Sequence, residues 1–508
     1  MTRLSDDTSG PPAEPRAQAI SVLASTRAPA TSSANVSEHT QGDLLARFSR
    51  SEDPEALSVS AAQSLLRTLS TPISRVDRLP LMQALGRVVA VDVVAPIDVP
   101  AYANSAMDGF AFDGMQLQNG AHSDILVLDV VGTALAGHPL QQPVAAGQCV
   151  RVMTGASIPP GADTVVPHEF ALHFAEPQQD GGVRPRVSLS VATFAQHANV
   201  RLAGEDLRRG NTVLRAGRTL RASDLGLLAS LGIAEVSVFG RLRVAYFSTG
   251  DELRSIGQPL ADGCVYDSNR YTLHAMLVGL GVEPVDFGVV RDDATALRDV
   301  LERAAQQTDA IVSSGGVSAG DADFVRDVFA SLGEVVFWKM AMRPGRPFAF
   351  GRLRGHVTSD APTVSDSGVD SGVDPDAGSA PDSLSMREVP FFGLPGNPVA
   401  VMASFYHLVR DALLIQMGAT PEPVPRVRAL AGEAIKKRPG RSEFARGTAR
   451  RIVSGDDAGQ WQVVLSGAQG SGVLRSMSEA NCFVMLEHEQ GNVAVGEAVD
   501  IMFFEGLL

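Results

Sequence analysis

The 508-residue chain lacks paired cysteines, an excess of basic charge and long apolar runs. Its three cysteines, Cys149, Cys264 and Cys482, are far apart and have no CxxC spacing, which disfavours a disulfide framework or a zinc site and fits a reducing cytoplasm. The net charge of −14 argues against nonspecific nucleic-acid binding, because that role requires a basic face. No apolar run approaches the ~20 residues of a membrane span, and no signal peptide is evident. We therefore expect a soluble cytoplasmic protein without nucleic-acid or membrane partners.

The length of the chain indicates several domains, since one hydrophobic core rarely serves more than about 250–300 residues. Residues 1–55 are rich in Ala, Ser, Thr and Pro without apolar periodicity, which predicts a disordered extension. Residues 77–240 contain short segments such as QCVRVMTG and ADTVVP and are predicted to be mostly β. Residues 424–508 alternate apolar and polar residues, which predicts a small β-barrel or β-sandwich.

From Arg241 to about Met417, the predicted strands LRVAYFST, VEPVDFGVV and AIVSSGG alternate with predicted helices. The helices carry apolar stripes at i, i+3, i+4 and i+7, and Asp293 is a predicted N-cap. The predicted buried residues are Leu273, Met276, Leu277 and Leu280 in the first helix and Leu297, Val300, Leu301 and Ala304 in the second. Strands joined by such helices form a parallel sheet, whose ligands bind beyond the carboxyl ends of the strands.

One segment of this region, residues 357–385, contains six Asp and no Lys or Arg. It separates the apolar segments PFAFGRL and VPFFGLPG. We interpret it as an acidic insertion in a hairpin connection, which adds charge to the chain outside its folded body.

Acidic residues follow two of the predicted strands. Asp251 and Glu252 lie in STGDEL, and Asp323 lies in SSGGVSAGDADF. Gly315 and Gly316, in the second motif, allow backbone N–H groups to converge on an anion. Either acidic pair alone is more typical of a helix start that is favoured by the helix dipole. Two such pairs at neighbouring strand ends favour a cation such as Mg²⁺, held between the carboxylates and the phosphate oxygens of an anionic ligand.

Two neighbouring acidic residues are weaker evidence for a cation site. Asp321 is interpreted mainly as a loop or helix-start residue. Asp292 lies in the segment RDD at the end of the second strand, where its neighbour Asp293 is already explained as an N-cap.

Basic residues are concentrated in two segments. FWKMAMRPGRPFAFG places Lys339, Arg343 and Arg346 between Pro-Gly turns and a strand, where they can receive oxyanion oxygens, although scattered surface charges are an equally good interpretation. KKRPGRSEFARG supplies further basic residues, among them Arg446.

The segment GLPGNPVAVMASFYHLV predicts a helix that begins at Pro398 with Asn397 as its N-cap. It is either a further anion site or an ordinary capped helix. Its predicted buried face consists of Val399, Met402, Tyr406 and Val409.

Two further segments are uninformative on composition alone. NSAMDGFAF, with Asp108, is more typical of an Asp-Gly turn than of a site. RVMTGASIPPGADTVV, with Thr154, is typical of a Gly/Pro-rich loop between strands.

Nine motifs nevertheless occur in one order: NSAMDG, MTGA, AGEDL, FSTGDEL, YDSNR, SSGGVSAGDADF, MRPGRPFAFG, LPGNP and QGS. Together they resemble the molybdopterin molybdotransferase family, the molybdenum insertases that include the gephyrin E-domain. The similarity runs from about residue 57 to the C-terminus and leaves the N-terminal extension and the acidic insertion unmatched.

The resemblance implies a multidomain α/β plus β subunit, with a central parallel-sheet domain, in a homodimer whose active site lies in a cleft between subunits. The implied domains are a disordered extension (1–56), a helix packing on the α/β domain (57–76), a linking domain (77–95 and 211–241), a mostly-β domain (96–210), an α/β molybdopterin-binding domain (242–423) and a C-terminal β-barrel (424–508).

The resemblance also implies that adenylylated molybdopterin is cleaved with Mg²⁺ while molybdate is inserted at the dithiolene, releasing AMP, in the last step of molybdenum cofactor biosynthesis. Candidate protein partners are the molybdopterin adenylyltransferase and molybdoenzyme chaperones.

The family's site residues carry over by motif. The implied catalytic residues are Asp251, Glu252, Asp292, Asp323 and Asp108. The implied metal ligands are Asp323, Ser248 and Asp251. The implied substrate-binding residues are Thr154, Ser314, Gly315, Gly316, Lys339, Arg343, Pro395, Asn397, Pro398, Arg446 and Ser471. Asp108 and Thr154 match residues expected to approach the cleft from the partner subunit.

Two departures from the family pattern affect the oxyanion contacts. Arg343 and Arg346 stand at positions where Lys is common, so the charge is kept but the donor geometry changes. Ala400 stands where many members have Ser, so one hydroxyl expected near molybdate is missing.

Two rival functions remain open on the sequence. The first is molybdopterin adenylyltransferase, which shares the GGVS-type α/β domain but normally without the flanking modules. The second is a gephyrin-like scaffold or binding protein that has lost its chemistry, against which the retained acidic and basic positions weigh.

Overall fold

The fold is given by a computed structural model that describes residues 56–119, 124–177, 183–316, 323–357 and 385–507. The helices are α1 (Val59–Leu69), α2 (Gln116–Asn119), α3 (Ala222–Ser230), α4 (Ser268–Leu280), α5 (Ala294–Gln307), α6 (Asp323–Leu332), α7 (Pro398–Ser404), α8 (Arg410–Gln416) and α9 (Leu474–Glu479). A π-helical turn, Phe405–Val409, joins α7 to α8. The predicted extension at residues 1–55 lies outside the described residues.

The first part of the chain is mostly β. Its strands are β1 (Val76–Pro80), β2 (Val93–Val94), β3 (Asn104–Ser105), β4 (Gly109–Phe112), β5 (Ile125–Ala134), β6 (Gln148–Val152), β7 (Thr164–Pro167), β8 (Ala171–Pro177), β9 (Val183–Ser190), β10 (Val200–Arg201), β11 (Thr212–Leu214) and β12 (Glu235–Phe239). A six-stranded sheet has the order β7-β4-β6-β5-β9-β8. Two small antiparallel pairs, β1 with β12 and β2 with β11, join chain segments on either side of that sheet.

The central α/β part contains a six-stranded mixed sheet. Its strands and the short strands beside it are β13 (Arg243–Thr249), β14 (Leu253–Arg254), β15 (Val265–Tyr266), β16 (Glu283–Val290), β17 (Ala310–Ser314), β18 (Gly333–Lys339), β19 (Met342–Arg343), β20 (Pro347–Val357) and β21 (Ser385–Leu394). The sheet order is β16-β13-β17-β21-β20-β18, parallel from β16 to β21 and antiparallel in the last two pairs. The predicted parallel sheet is therefore confirmed for four strands.

Helices α4 and α5 cover this sheet as their apolar stripes predict. All eight residues predicted to be buried are buried. Asp293 is confirmed as the N-cap of α5, since its carboxylate accepts from the backbone N–H of Ala296 at 2.9 Å. The apolar side chains of the two stripes pack against residues of the strands, so their burial stabilises both layers together.

The segment after LPGNP forms one continuous helical run, Pro398–Gln416, through the π turn. It has 19 residues and a mean hydropathy of 1.3, so the expectation that no run approaches the length of a membrane span was wrong. In the structure 61% of its apolar window is buried inside the protein, as in the core helix of a soluble protein. Val399 and Val409 are buried as predicted, whereas Met402 and Tyr406 are only half-buried.

Helix α1 packs across this helical run. The side chain of Gln63 donates to the carbonyl of His407 at 2.8 Å, and Arg67 pairs with Asp411 at 2.5 Å. The imidazole of His407 stacks on Phe444 of the C-terminal part, so the run is a junction between the two regions.

The last part of the chain is a closed five-stranded barrel. Its strands are β22 (Val427–Ala431), β23 (Ser442–Arg451), β24 (Trp461–Leu465), β25 (Cys482–Leu486) and β26 (Ala498–Phe503). The ring closes because β23 pairs with both β24 and β25. Strand β19 adds in parallel to β23, with Met342 opposite Ser442, and this pairing ties the barrel to the α/β sheet.

The acidic insertion joins two paired strands. β20 and β21 are antiparallel from Ala349 opposite Gly393 to Val357 opposite Ser385, which confirms the predicted hairpin connection. Residues 358–384 lie outside the described residues.

Candidate active site

A cleft of about 800 Å³ lies between the α/β sheet and the barrel, and we call it the basic cleft. Its described lining residues are Ala56, Met340, Ala341, Met342, Arg343, Pro344, Gly345, Arg346, Pro347, Pro395, Gly396, Asn397, Ala400, Arg438, Pro439, Gly440, Arg441, Gln469, Gly470 and Ser471. Four arginines and no carboxylate are among them. Such a lining favours an anionic ligand.

Two of the four arginines are held in place from the barrel. Glu443, which is 7% exposed, accepts from Arg441 at 3.0 Å and from Arg343 at 3.5 Å. The carboxylate therefore sets the spacing of the two guanidinium groups at one wall of the cleft. Arg346 and Arg438 have no ion pair within the described part of the chain, so their donors are available to a ligand.

Arg438 and Arg441 were missed by the sequence reasoning, although both lie in the basic segment KKRPGR. Their loop is anchored by the preceding residue, Lys437, whose buried ammonium donates to the carbonyl of Gln490 at 2.7 Å. The signal in the sequence was the cluster of basic residues around Pro439. Only the fold shows that Lys437 anchors the loop, whereas Arg438 and Arg441 line the cleft.

Arg446 is not among the residues that line the cleft. It is 1% exposed, and its guanidinium donates to the carbonyl of Gly470 at 3.0 Å and to Ser476 at 3.1 Å. Burial, with the nearby charge of Arg343, lowers the pKa of Arg446 to about 10. In this structure Arg446 therefore orients the loop that carries Ser471.

The LPGNP turn forms the floor of the cleft. Asn397 occupies the N-cap position of α7 as predicted, but its side chain makes no capping hydrogen bond, so that part of the prediction was wrong. The backbone N–H of Val399 instead donates to the carbonyl of Ser471 at 3.0 Å. Ala400 lines the cleft, so the hydroxyl that many family members have at this position is missing from the cleft wall.

Lys339 lies at the end of β18, one residue before the lining residue Met340. Its carbonyl accepts from Leu57 at 2.8 Å, and its side chain is exposed. Lys339 is thus at the rim of the basic cleft.

At the carboxyl ends of β13 and β16 the chain gathers Asp251, Glu252 and Asp292, a cluster that we call the acidic edge. The backbone N–H of Asp292 donates to the Asp251 carboxylate at 3.3 Å. Partial burial, then the neighbouring carboxylates of Asp251 and Glu252, raise the pKa of Asp292. The three acids are therefore close enough to repel one another, which a bound cation would relieve.

Gly315 and Gly316 stand beside this edge with φ of +88° and +66°. A Cβ on Gly315 would lie 2.6 Å from the carbonyl oxygen of Thr249, so only glycine fits. The hydroxyl of Thr249 is buried without a hydrogen-bond partner among the described residues. The close approach that requires glycine here is therefore to Thr249 of β13, and the backbone N–H of Gly315 already donates to the carbonyl of Leu394 at 3.0 Å.

The implied metal ligands differ in their surroundings. Ser248 is fully buried, and its hydroxyl donates to Asp267 at 3.0 Å, so it lies in the interior of the protein and is not exposed to a ligand. Asp323 begins α6 at the neighbouring strand end, but its side chain lies outside the described residues, as does all of Asp321.

Asp108 and Thr154 are brought together in the mostly-β region. The Asp108 carboxylate accepts from the backbone N–H and the hydroxyl of Thr154, both at 2.7 Å. These hydrogen bonds, the backbone one first, lower the pKa of Asp108. Neither residue is among those that line the basic cleft, and both are exposed.

Three family models match the chain along most of its length. They are described as the MoeA N-terminal region (domain I and II), over residues 57–232, a probable molybdopterin binding domain, over residues 245–414, and the MoeA C-terminal region (domain IV), over residues 428–504. A molybdopterin molybdenumtransferase of Haemophilus influenzae is 36% identical over 453 residues, which are 88% of this chain and 98% of the relative. The chain belongs to the molybdopterin molybdenumtransferase family.

Other relatives agree with this assignment. Molybdopterin molybdenumtransferase 2 of Mycobacterium tuberculosis is 34% identical over 432 residues, 83% of this chain and 93% of the relative. The crystal structure of the molybdopterin biosynthesis moeA protein from Pyrococcus horikoshii OT3 has a TM-score of 0.68 at 25% identity and covers 89% of this chain and 100% of its own. The resemblance drawn from the nine motifs is confirmed, and the chain is an enzyme of molybdenum cofactor biosynthesis.

For this molybdenumtransferase, the implied site residues fall into three groups. The basic cleft brings together Arg343, Pro395, Asn397 and Ser471. The acidic edge brings together Asp251, Glu252 and Asp292 beside Gly315 and Gly316. The third group, Asp108 and Thr154, forms its own pair elsewhere.

Proposed function

We propose that this enzyme inserts molybdate into adenylylated molybdopterin with Mg²⁺ and releases AMP. The observation that carries the proposal is the separation of an arginine-lined cleft without carboxylates from a carboxylate cluster at the strand ends. One part of the substrate receives the molybdate oxyanion, and another part is a phosphate bridge. The basic cleft suits the first part, and the acidic edge suits the second.

The basic cleft is the proposed binding region for molybdate and the terminal groups of the pterin. Arg346 and Arg438 have no ion-pair partner among the described residues, and Arg343 and Arg441 are held in register by Glu443. A planar guanidinium donates two parallel hydrogen bonds to an oxyanion, so the arginines suit tetrahedral oxyanions despite replacing common lysines. Ser471 adds a hydroxyl at the same wall.

The acidic edge fits Mg²⁺ in its donor chemistry. Partial burial, then the negative charges of Asp251 and Glu252, raise the pKa of Asp292, and a divalent cation would relieve the charge repulsion. No group of three or more His, Cys, Asp or Glu side chains is arranged to hold a metal among the described residues. Mg²⁺ is commonly held by one or two carboxylates and completes its shell with water and phosphate oxygens.

When bound there, Mg²⁺ would neutralise charge on the phosphate bridge as AMP leaves. Asp251 and Asp292 would hold the ion, with Asp323 as the carboxylate from the neighbouring strand end. The backbone N–H of Gly316 would donate to the phosphate oxygens, whereas the N–H of Gly315 already donates to the carbonyl of Leu394 at 3.0 Å. Thr249, whose buried hydroxyl has no hydrogen-bond partner among the described residues, lies against these glycines at the end of β13.

We further propose that the enzyme works as a cytoplasmic homodimer. Asp108 and Thr154 lie outside the basic cleft of their own subunit, as expected if they complete the cleft of the partner. The hydrogen bonds from Thr154, which lower the pKa of Asp108, hold its carboxylate in a fixed orientation for that role. The free thiols Cys149, Cys264 and Cys482 agree with a reducing compartment.

The test is turnover of adenylylated molybdopterin with molybdate and Mg²⁺, measured as AMP release. We expect AMP release to require all three components. A matched assay with molybdopterin and ATP distinguishes the adenylyltransferase alternative. AMP release that is independent of molybdate, or adenylylation from ATP, would contradict the proposal.

A further inference from the structure

Asn269 ties together two loops that carry the proposed site. It lies in the first turn of α4, within the motif YDSNR, and is 7% exposed. Its side-chain N–H₂ donates to the hydroxyl of Ser314 at 2.8 Å and to the carbonyl of Gly396 at 2.7 Å. One amide group therefore joins the end of β17, just before Gly315, to the LPGNP turn at the floor of the basic cleft.

The other half of the same amide is unsatisfied. The side-chain oxygen of Asn269 is buried and has no hydrogen-bond partner among the described residues. A buried unsatisfied polar atom destabilises a fold, and an apolar residue of similar size avoids that penalty. The asparagine therefore joins the two loops through its N–H₂ group while its own oxygen stays unsatisfied.

The residue two positions earlier extends the connection. Asp267 is 1% exposed, and its carboxylate accepts from Ser248 at the end of β13 at 3.0 Å and from the backbone N–H of Arg270 at 3.1 Å. Its second oxygen is also buried without a partner in the described chain. The start of α4 thus contacts the ends of β13 and β17 and the LPGNP turn.

We propose that Asn269 is a positioning residue that sets the distance between the phosphate-binding glycine loop and the LPGNP floor of the basic cleft. The inference rests on the proposed function, since it assigns Asn269 to the geometry of that reaction. It concerns neither the metal nor a direct contact with substrate. Small errors in such a distance are costly, because a displacement of about 1 Å can lower a rate 10²-fold.

The experiment compares Asn269→Leu, Asn269→Asp and the control Asn481→Leu. The control removes a second amide that also makes two hydrogen bonds, to the backbone N–H and carbonyl of Ala449 in the barrel, away from the cleft. For each variant we would measure AMP release as kcat and KM, thermal unfolding, and amide hydrogen exchange at residues 313–316 and 394–397.

For Asn269→Leu we expect kcat to fall about 10- to 100-fold with a smaller change in KM, while the unfolding midpoint stays within about 3 °C of the parent. Hydrogen exchange should rise at both loops. Asn269→Asp should recover activity, relative to the parent, as the pH falls from 8 to 6, because burial favours the protonated carboxyl, which again donates to Gly396. The control should change neither kcat nor the exchange of these loops.

Unchanged exchange at both loops in Asn269→Leu, or kcat within twofold of the parent, would overturn the inference. The inference would also be overturned if the activity of Asn269→Asp did not recover, relative to the parent, as the pH falls. If the parent itself released no AMP, the proposed function would fail, whereas the exchange measurement would still decide whether Asn269 holds the two loops.

Discussion

The acidic edge and the basic cleft use the same sheet but are assembled from the chain in different ways. The acidic edge comes from short segments that directly follow β13 and β16. The basic cleft combines residues around positions 343, 396, 440 and 470, so it exists only where β19 pairs with β23 of the barrel. The first region can therefore be recognised from strand ends in the sequence, whereas the second depends on docking of the barrel.

The acidic edge and the basic cleft also differ in how their charges are balanced. At the acidic edge, partial burial and then the negative charges of the neighbouring carboxylates raise the pKa of Asp292. In the basic cleft, one buried carboxylate, Glu443, bridges two of four arginines and leaves the lining positive. The acidic edge therefore gathers like charges, while two arginines of the basic cleft are ordered by one ion-paired carboxylate.

The largest expected effect is at the acidic edge. Asp323→Asn should lower AMP release about 10²-fold or more, because an amide fills the same space but cannot neutralise a cation as the carboxylate does. Excess Mg²⁺ should recover part of the loss if metal occupancy is limiting. The measurement is AMP release with thermal unfolding, and the matched control is Asp321→Asn, which should do less. Normal turnover of Asp323→Asn would remove the catalytic role from this edge, and unfolding would make Asp323 a structural residue.

A smaller effect is expected in the basic cleft. Arg438→Ala should raise the KM for molybdate about 5- to 10-fold with little change in kcat, since an exposed unpaired guanidinium contributes binding and not chemistry. The effect should shrink at high salt. The control, Arg428→Ala, removes an exposed arginine that pairs with Asp500 on the barrel. Equal KM values for the two variants would show that the cleft does not bind the oxyanion through Arg438.

The third prediction concerns the pH dependence of stability. The raised pKa of Asp292 means that the folded state holds a proton that the unfolded chain has lost, so its contribution falls as pH rises from the unfolded value of 3.8 through the folded value. Asp292→Asn should therefore gain stability over the parent above this window. Added Mg²⁺ should raise the unfolding midpoint of the parent more than that of the variant. Equal Mg²⁺ shifts in both proteins would separate Asp292 from the cation.

The smallest effect is expected outside both regions. Replacing residues 358–384 by a two-residue Asn-Gly turn should change the unfolding midpoint by less than about 3 °C and turnover by less than about twofold, because β20 and β21 still pair up to Val357 and Ser385. Thermal unfolding and AMP release check this. A large loss of either would mean that the acidic insertion contributes to the fold or the site.

Removal of residues 1–50 is likewise expected to leave dimerisation and activity unchanged. Size-exclusion chromatography with light scattering and AMP release would measure both. Loss of the dimer would show that the N-terminal extension is part of the subunit contact.

Periodicity predicted the elements that cover the sheet. The stripes of α4 and α5 and the Asp293 cap depend on residues within one or two turns, so local sequence is sufficient for them. The helix after LPGNP was predicted less well, since Met402, which precedes the π turn at Phe405–Val409, and Tyr406, which lies within it, are only half-buried. The burial of these two side chains depends on which elements cover the helix, and apolar spacing does not show this.

The candidate site was predicted only in part, because motifs identify residues but do not show their tertiary contacts. The motifs directed attention to Arg343, Asn397 and Ser471, which the structure places in one cleft. They could not distinguish Arg446, which is buried against loop carbonyls, from Arg438, which lines the cleft, because both are arginines in one basic segment. Asn269 was overlooked because its role depends on two partners 45 and 127 residues away in the sequence.

By itself the sequence determined the family, the alternation of strands and helices, and the acidic strand ends, since these depend on residue identity and short-range spacing. The tertiary structure alone decided which arginines face the ligand, which hydroxyls and amides are already bonded, and how the strand ends are held together. Those properties depend on burial and on contacts between segments far apart in the chain, and burial determines whether a charged or polar group serves the ligand or the fold.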